Sequence, residues 1–289
     1  MTELFAYVLS GVTVGFIYTL VGLGFTVIYN SSGIINFSQG EFVMAGGMST
    51  AFLLYAGLPL GVSFVLAILI TSMIGIALMK LISFSKDGSQ ISLIILTLGF
   101  AIALRGLAQV IFDKQLHTIP SFVGEGSFEI YGATLSYQSL LIIVVSIIIV
   151  FALYEFFHKT KTGQAMMAAS DNVDAARLMG INIKKILILN FAISAVIASI
   201  GGILLTPITS TNYEVGIMLG LKGFCAAIIG GLGHLFGAVA GGLILGILES
   251  LVAGYVSSEY KDAVAFVVLL AILFFMPGGI FGNLKAQRV

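Results

Sequence analysis

Charged side chains are scarce in this 289-residue chain. They account for 9% of its residues, whereas about a quarter of the residues in a typical soluble domain are charged. Hydrophobic residues account for 59% and the mean hydropathy is +1.13. This composition excludes a soluble globular domain and indicates an integral membrane protein. The apolar segments are too long for the short, alternating strands of a membrane β-barrel, so we predict membrane-spanning helices.

The chain also lacks the residues that several kinds of functional site require. The single cysteine, Cys225, excludes an internal disulfide, and its surroundings provide no metal-ligand spacing. The chain has no Walker A loop, zinc motif or hydrolase triad, so we expect no catalytic residues and no metal site. The formal net charge is zero and no run of Lys or Arg occurs. We therefore expect no nucleic-acid partner.

What the chain does have is a series of long apolar runs. A helix needs roughly 20 residues to cross a hydrocarbon core of about 30 Å. The first run lacks a basic leader and is too long for a secretory signal, so we interpret it as a span. The runs predict an all-α, polytopic transmembrane helical bundle of about 8–10 spans, forming a single domain over residues 1–289. The spans lie near 4–29, 41–56, 60–79, 91–112, 138–157, 186–206, 217–233, 235–254 and 262–276.

The distribution of basic residues predicts the orientation, because short cytoplasmic loops are enriched in Lys and Arg. If the loop at about 158–185 is cytoplasmic, only Lys114 and Lys261 fall in outer loops. The N-terminus is then outside and the C-terminus is cytoplasmic. The basic residues on the cytoplasmic side are Lys80, Lys86, Lys159, Lys161, Arg177, Lys184, Lys185, Lys285 and Arg288.

The same loop contains the longest polar stretch, "GQAMMAASDNVDAARLMGINIKK". Ser170 or Asp171 is a suitable N-cap and Gly180 a suitable stop, which predicts a short helix near 171–179. An isolated helix of this length is marginal in water, so it either lies on the membrane as a connector or packs against a partner. Its apolar patch is formed by Ala175, Leu178 and Met179, and its polar side by Asp171, Asp174 and Arg177.

A second polar stretch precedes the second span. Ser38 and Glu41 fit the S-x-x-E capping box directly before an apolar run. Asn36, Gln39 and Glu41 are then predicted at the cytoplasmic mouth of the second span. They mark either a capped helix start or a pore-lining entrance.

Ionisable residues within spans are costly and are therefore functional candidates. Here they are Arg105, Lys222 and Glu249, all in the outer half of the membrane by the predicted topology. Lys222 is close enough to a span end to snorkel. Arg105 and Glu249 lie deeper, and we expect them to pair with each other or to line a passage. The candidate translocation path thus comprises Asn36, Gln39, Glu41, Arg105 and Glu249.

Four segments in order resemble the membrane permease of bacterial branched-chain amino acid importers, which belong to the ATP-binding cassette class: "GIINFSQGE", "AASDNVDAARLMGIN", "KGFCAAIIGGLGHLFGAVAGGLILGILESL" and "SSEYKDAVAFVVLLAILFFMPGGIFG". The resemblance extends over essentially the whole chain. It implies a transport subunit of the bacterial inner membrane rather than an enzyme. The implied partners are a second permease subunit, two cytoplasmic ATP-binding subunits, a periplasmic substrate-binding protein and membrane lipid. No cofactor is expected on this chain, because the partner subunits use the ATP and Mg.

The resemblance also implies a role for the polar loop. Its helix corresponds to the family's coupling segment, which docks into a cleft of the ATPase subunit. The implied coupling residues are Ala168, Ser170, Asp171, Asp174, Ala175, Arg177, Leu178, Met179 and Gly180. Two alternatives remain at this stage. One is a permease for urea or short amides in the same importer class, and the other is an ion-coupled secondary transporter that works alone.

Overall fold

The computed structural model describes residues 2–84, 89–130 and 132–282, and nearly all of its regular structure is helical. Lys86, Lys285 and Arg288, which contributed to the predicted orientation, lie outside the described residues. The helices are α1 (Thr2–Ser32), α2 (Gln39–Tyr55), α3 (Leu60–Phe84), α4 (Gln90–Ile111), α5 (Tyr137–Lys159), α6 (Lys161–Asp171), α7 (Val173–Leu178), α8 (Ile183–Thr209), α9 (Val215–Gly230), α10 (Leu235–Tyr255) and α11 (Lys261–Phe275). A short hairpin of β1 (Ser127–Ile130) and β2 (Ala133–Ser136) precedes α5, and a 3-10 turn (Ser258–Tyr260) precedes α11.

Each predicted span coincides with a helix, which confirms the all-α, multi-pass bundle. In the described part of the chain, six helices are long and apolar enough to cross a membrane, namely α1, α3, α4, α5, α8 and α10. The remaining three predicted spans correspond to α2, α9 and α11, which are 17, 16 and 15 residues long. These shorter helices cover only part of the roughly 30 Å that a full span requires.

Glycine allows the central pair of helices, α1 and α10, to approach closely. A Cβ at Gly11 would meet the backbone of Gly246 and Ile247, and one at Gly15 would meet the carbonyl of Gly242. Small residues bring helix backbones together in lipid, where packing rather than water exclusion drives association. The G-x-x-x-G spacings in α1 and α10 therefore serve helix packing.

Residues 33–38 enter the bundle without forming a helix. Asn36 and Ser38 are fully buried there. The side-chain oxygen of Asn36 accepts a hydrogen bond from the Ser38 amide at 3.0 Å, and the Ser38 hydroxyl donates to the Thr97 carbonyl at 2.6 Å. The predicted capping box is therefore wrong, because Ser38 makes no cap bond and is bound to α4 instead. Non-helical backbone is tolerated at this depth because protein surrounds it.

The polar loop folds into two helices, α6 and α7, rather than one. Thr160 caps α6 by accepting from the Gly163 amide at 3.0 Å. Asn172 caps α7 by accepting from the amides of Asp174 and Ala175 at 3.0 and 2.9 Å. The prediction of an N-cap at Ser170 or Asp171 is wrong, because both belong to the end of α6.

The predicted stop of this short helix is confirmed. Gly180 has φ +83, a left-handed backbone conformation that glycine adopts without steric cost.

Candidate functional site

An ion pair between α2 and α4 lies within the bundle. Arg105 Nη2 donates to Glu41 Oε1. Glu41 is 2% exposed, whereas the Arg105 side chain is 27% exposed. Among the described residues, neither Glu41 Oε2 nor Arg105 Nε has a hydrogen-bond partner. Both the Glu41 carboxylate and the Arg105 guanidinium therefore retain an unused hydrogen-bonding atom.

The pair lies far from the end of α4 that is predicted to be cytoplasmic. Arg105 is about 22 Å along the helix axis from Gln90 at a rise of about 1.5 Å per residue. Ser38, three residues before Glu41, is bound to the Thr97 carbonyl, so Glu41 lies near the level of the middle of α4, deeper in the bundle than the expected position at the mouth of the second span. The reason is that residues 33–38 run into the bundle before α2 begins.

The first turns of α2 and α9 meet beside this ion pair. A Cβ at Gly40 would collide with the carbonyl of Gly216 and crowd Gly220, and one at Gly216 would lie 3.0 Å from Glu41 Oε2. Each helix carries partial positive charge at its N-terminus. The Glu41 carboxylate therefore lies beside the partial positive charge of two helix ends.

Gln39 takes part in a buried network that joins three helices. The Ser194 hydroxyl of α8 lies 2.7 Å from Gln39 Oε1 and 2.9 Å from the Gly24 carbonyl of α1. Gln39 Nε2 donates to the Ser194 carbonyl at 3.4 Å. Both Asn36 and Gln39 are thus buried in protein in this arrangement, whereas Glu41 pairs with the partly exposed Arg105.

A second charge cluster joins α1, α9, α10 and α11. Lys222 Nζ lies 2.5 Å from Glu249 Oε1, 2.6 Å from Asp262 Oδ1 and 3.2 Å from the Tyr18 hydroxyl. Tyr18 donates to Glu249 Oε2 at 2.7 Å. Lys222 is 6% exposed and does not snorkel. The predicted pairing of Arg105 with Glu249 is wrong, since each residue has a partner in a different cluster.

Sequence reasoning missed Tyr18 and Asp262 as members of this cluster. Asp262 lies in the first turn of an apolar helix, and a charged residue at that position could have been recognised as a candidate partner for Lys222. Tyr18 gave none, because a tyrosine within an apolar run is ordinary. Within the described residues, no group of three or more His, Cys, Asp or Glu side chains could hold a metal ion.

The segment formed by α6 and α7 presents apolar groups outside the bundle. Leu178 is 90% exposed and Met179 is 83% exposed. Ala175 is exposed beside them, whereas Ala176 is buried in the core. The other residues named for this segment from the sequence are exposed as well, namely Ala168, Ser170, Asp171, Asp174, Arg177 and Gly180.

Residues 7–273 match the family model described as "Branched-chain amino acid transport system / permease component". The high-affinity branched-chain amino acid transport system permease protein LivH of Escherichia coli K12 is 33% identical over 308 aligned positions, covering 100% of both chains. The corresponding permease protein BraD of Pseudomonas aeruginosa is 32% identical over 309 positions, again covering 100% of both. Among solved structures, PsaBC from Streptococcus pneumoniae in complex with Fab has a TM-score of 0.52 and 14% identity, covering 97% of this chain and 94% of that one. That last likeness concerns the fold alone.

Proposed function

Because this chain belongs to the family of branched-chain amino acid transport system permease components, we propose that it imports branched-chain, hydrophobic amino acids across the bacterial inner membrane. It acts as the membrane-spanning subunit of an ATP-binding cassette importer. The observation that carries the proposal is the similarity to LivH and BraD over the whole of each chain. The multi-pass helical bundle is consistent with this role.

The proposal assigns the ATP chemistry to other subunits. This chain pairs with a second permease subunit, two cytoplasmic ATP-binding subunits that use ATP and Mg, and a periplasmic substrate-binding protein. Its sequence offers no Walker A loop, which supports that division. The helix α4 has many exposed apolar side chains, which face lipid or the second permease subunit in the complete importer. They include Ile91, Ile95, Ile102, Leu107 and Val110.

The α6–α7 segment is the proposed contact with the ATPase. Leu178 and Met179 lie almost entirely outside the bundle, and exposed apolar side chains of this kind suit a protein cleft. Lys159 and Lys161 flank the start of the segment, which supports a cytoplasmic location. ATP-driven motion of the ATPase subunits would reach the bundle through α6 and α7.

The Glu41–Arg105 pair is the proposed polar element of the translocation path. An amino acid carries an ammonium and a carboxylate, and these two side chains offer the complementary charges. Glu249 is less suited to this role, because Lys222 and Tyr18 already occupy its two oxygens.

The proposal is tested by reconstituting the chain in lipid vesicles with its three partner subunits and the substrate-binding protein. We expect uptake of radiolabelled leucine that requires ATP. The chain reconstituted alone should show no uptake driven by a proton or sodium gradient. Gradient-driven uptake by the lone chain would establish the secondary transporter, and ATP-dependent uptake of urea or acetamide in place of leucine would establish the amide permease.

The coupling contact is tested by Ala175→Glu. A charged side chain in an apolar cleft leaves an unpaired charge at the interface, so we expect loss of ATPase subunits in a pull-down and loss of leucine uptake. The control is Ala56→Glu, the same change at an exposed site after α2. Normal ATPase retention and uptake in Ala175→Glu would show that α7 is only a connector.

A further inference from the structure

A cavity of about 700 Å³ lies beside the coupling segment, at the end of the bundle that is predicted to be cytoplasmic. It is bounded by the ends of α1 and α5, by α6, by the first part of α8 and by the turn between α9 and α10. Small-molecule sites in proteins occupy about 300–1,000 Å³. The cavity therefore has the size of a ligand site, and it is separate from the Glu41–Arg105 pair.

An unsatisfied amide lines this cavity. Asn190 of α8 is fully buried, yet neither its Nδ2 nor its Oδ1 has a hydrogen-bond partner among the described residues. Buried polar side chains are almost always paired, because an unpaired one forfeits its hydrogen bonds to water. Asn190 thus offers a donor and an acceptor to whatever fills the cavity.

The charge and the walls of the cavity restrict the ligand further. Asp171, which is exposed, is the only carboxylate among the described lining residues, and no ion pair of Asp171 occurs in the described part of the chain. The basic side chains among the described lining residues are those of His158 and His234, with no Lys or Arg. The apolar walls include Val27, Phe157 and Met166. A fitting ligand therefore has a positively charged group for Asp171, a hydrogen-bonding group for Asn190 and an apolar body.

We propose that this cavity binds an amphiphile with a primary ammonium group, and that its occupant is a free hydrophobic amino acid from the cytoplasmic side. The identity of the amino acid rests on the proposed function, whereas the ammonium chemistry rests on Asp171 and Asn190. The headgroup of phosphatidylethanolamine shares this chemistry and is the other source that the test must separate. Because Met166 and Asp171 belong to α6, an occupied cavity also ties α6 to α1 and α8.

The test measures thermal stabilisation of the complete importer, without the substrate-binding protein, in nanodiscs of phosphatidylcholine and phosphatidylglycerol. We expect L-leucine to raise the unfolding temperature in a saturable way, and 4-methylpentanoate, which lacks the ammonium, to have no effect. Asn190→Leu and Asp171→Asn should each raise the half-maximal leucine concentration by about tenfold, the usual loss for a hydrogen bond to a charged group. Glu155→Gln is the matched control, because Glu155 is a nearby acid that is bound to Lys159 and does not line the cavity.

The remaining outcomes overturn the proposal. Stabilisation by phosphatidylethanolamine nanodiscs, with no further effect of leucine, would assign the cavity to a lipid headgroup. Absence of any stabilisation, or equal stabilisation of wild type and both cavity variants, would show that leucine does not bind in this cavity. Leucine uptake is measured with the same preparation after addition of the binding protein. Uptake without leucine stabilisation refutes this site alone, and absence of uptake refutes the proposed function.

Discussion

The two buried charge groups of this bundle differ in how fully their hydrogen bonds are satisfied. In the cluster around Lys222, the lysine has three oxygen partners and both oxygens of Glu249 are occupied. In the Glu41–Arg105 pair, one atom of each side chain has no partner in the described part of the protein, and the arginine is partly exposed.

This difference separates a structural role from a candidate transport role. Charges in a membrane interior are costly and persist when they are paired or when they act on a passing solute. The Lys222 cluster has its hydrogen bonds satisfied and connects four helices, so we interpret it as a structural contact between them. The Glu41–Arg105 pair can still accept and donate hydrogen bonds, so we interpret it as a candidate site for binding a solute.

The largest expected effect is that of Lys222→Met on stability. The change leaves Glu249 buried without its cation, and breaking a buried pair costs about 3–5 kcal/mol. We expect a matching fall in the free energy of unfolding, measured by equilibrium unfolding in mixed micelles. Lys114→Met, at an exposed lysine after α4, is the control. The double variant Lys222→Met with Glu249→Gln should recover part of this loss of stability. No recovery would contradict the structural role of the Lys222–Glu249 pair.

Next in size is the effect of Gly40→Ala, which tests the contact that positions Glu41. The added methyl group meets the Gly216 carbonyl, a backbone atom that has little room to shift. Overpacking of this kind costs about 1–3 kcal/mol, and we expect that fall in unfolding free energy together with reduced uptake. Gly99→Ala in α4 is the matched control, because nothing lies within 4 Å of its Cβ position. Equal stability of the two variants would show that α2 and α9 are free to separate.

The third expected effect is a transport defect without a large stability defect. Glu41→Gln keeps the shape of the side chain but removes its charge, and the partly exposed Arg105 can turn toward water. We expect leucine uptake to fall by about tenfold, which corresponds to about 1.4 kcal/mol, with little change in unfolding temperature. Glu259→Gln, at an exposed acid before α11, should leave both unchanged. A large loss of stability in Glu41→Gln, with normal uptake per folded protein, would place this pair with the structural cluster.

The smallest expected effect is that of Tyr18→Phe. It removes one donor to Glu249 while Lys222 remains in place. A single hydrogen bond contributes about 0.5–1.5 kcal/mol, with more for a charged acceptor. We expect a stability loss near the upper end of that range and unchanged uptake, measured by the same unfolding and vesicle assays. A loss as large as that of Lys222→Met would mean that the tyrosine, rather than the lysine, holds the cluster together.

Local sequence signals predicted much of this molecule. The spans followed from apolar runs of sufficient length, and the end of α7 followed from Gly180. The split between α6 and α7 was missed because Ser170, Asp171 and Asn172 are all good cap residues, and only the packing of both helices against the bundle selects Asn172. Glu41 and Arg105 were both named from the sequence, but not as partners of each other.

The sequence by itself determined that this chain is a bundle of membrane helices, because the cost of exposing apolar side chains to water depends only on the length and composition of each run. It also determined which ionisable residues lie within spans. Only the tertiary structure decided their partners. Glu41 reaches Arg105, 64 positions away, because residues 33–38 enter the bundle before α2 begins. Glu249 meets Lys222 rather than Arg105 because α9 packs against α10. Such contacts depend on the depth and the neighbours of whole helices. A local sequence pattern does not encode either of these.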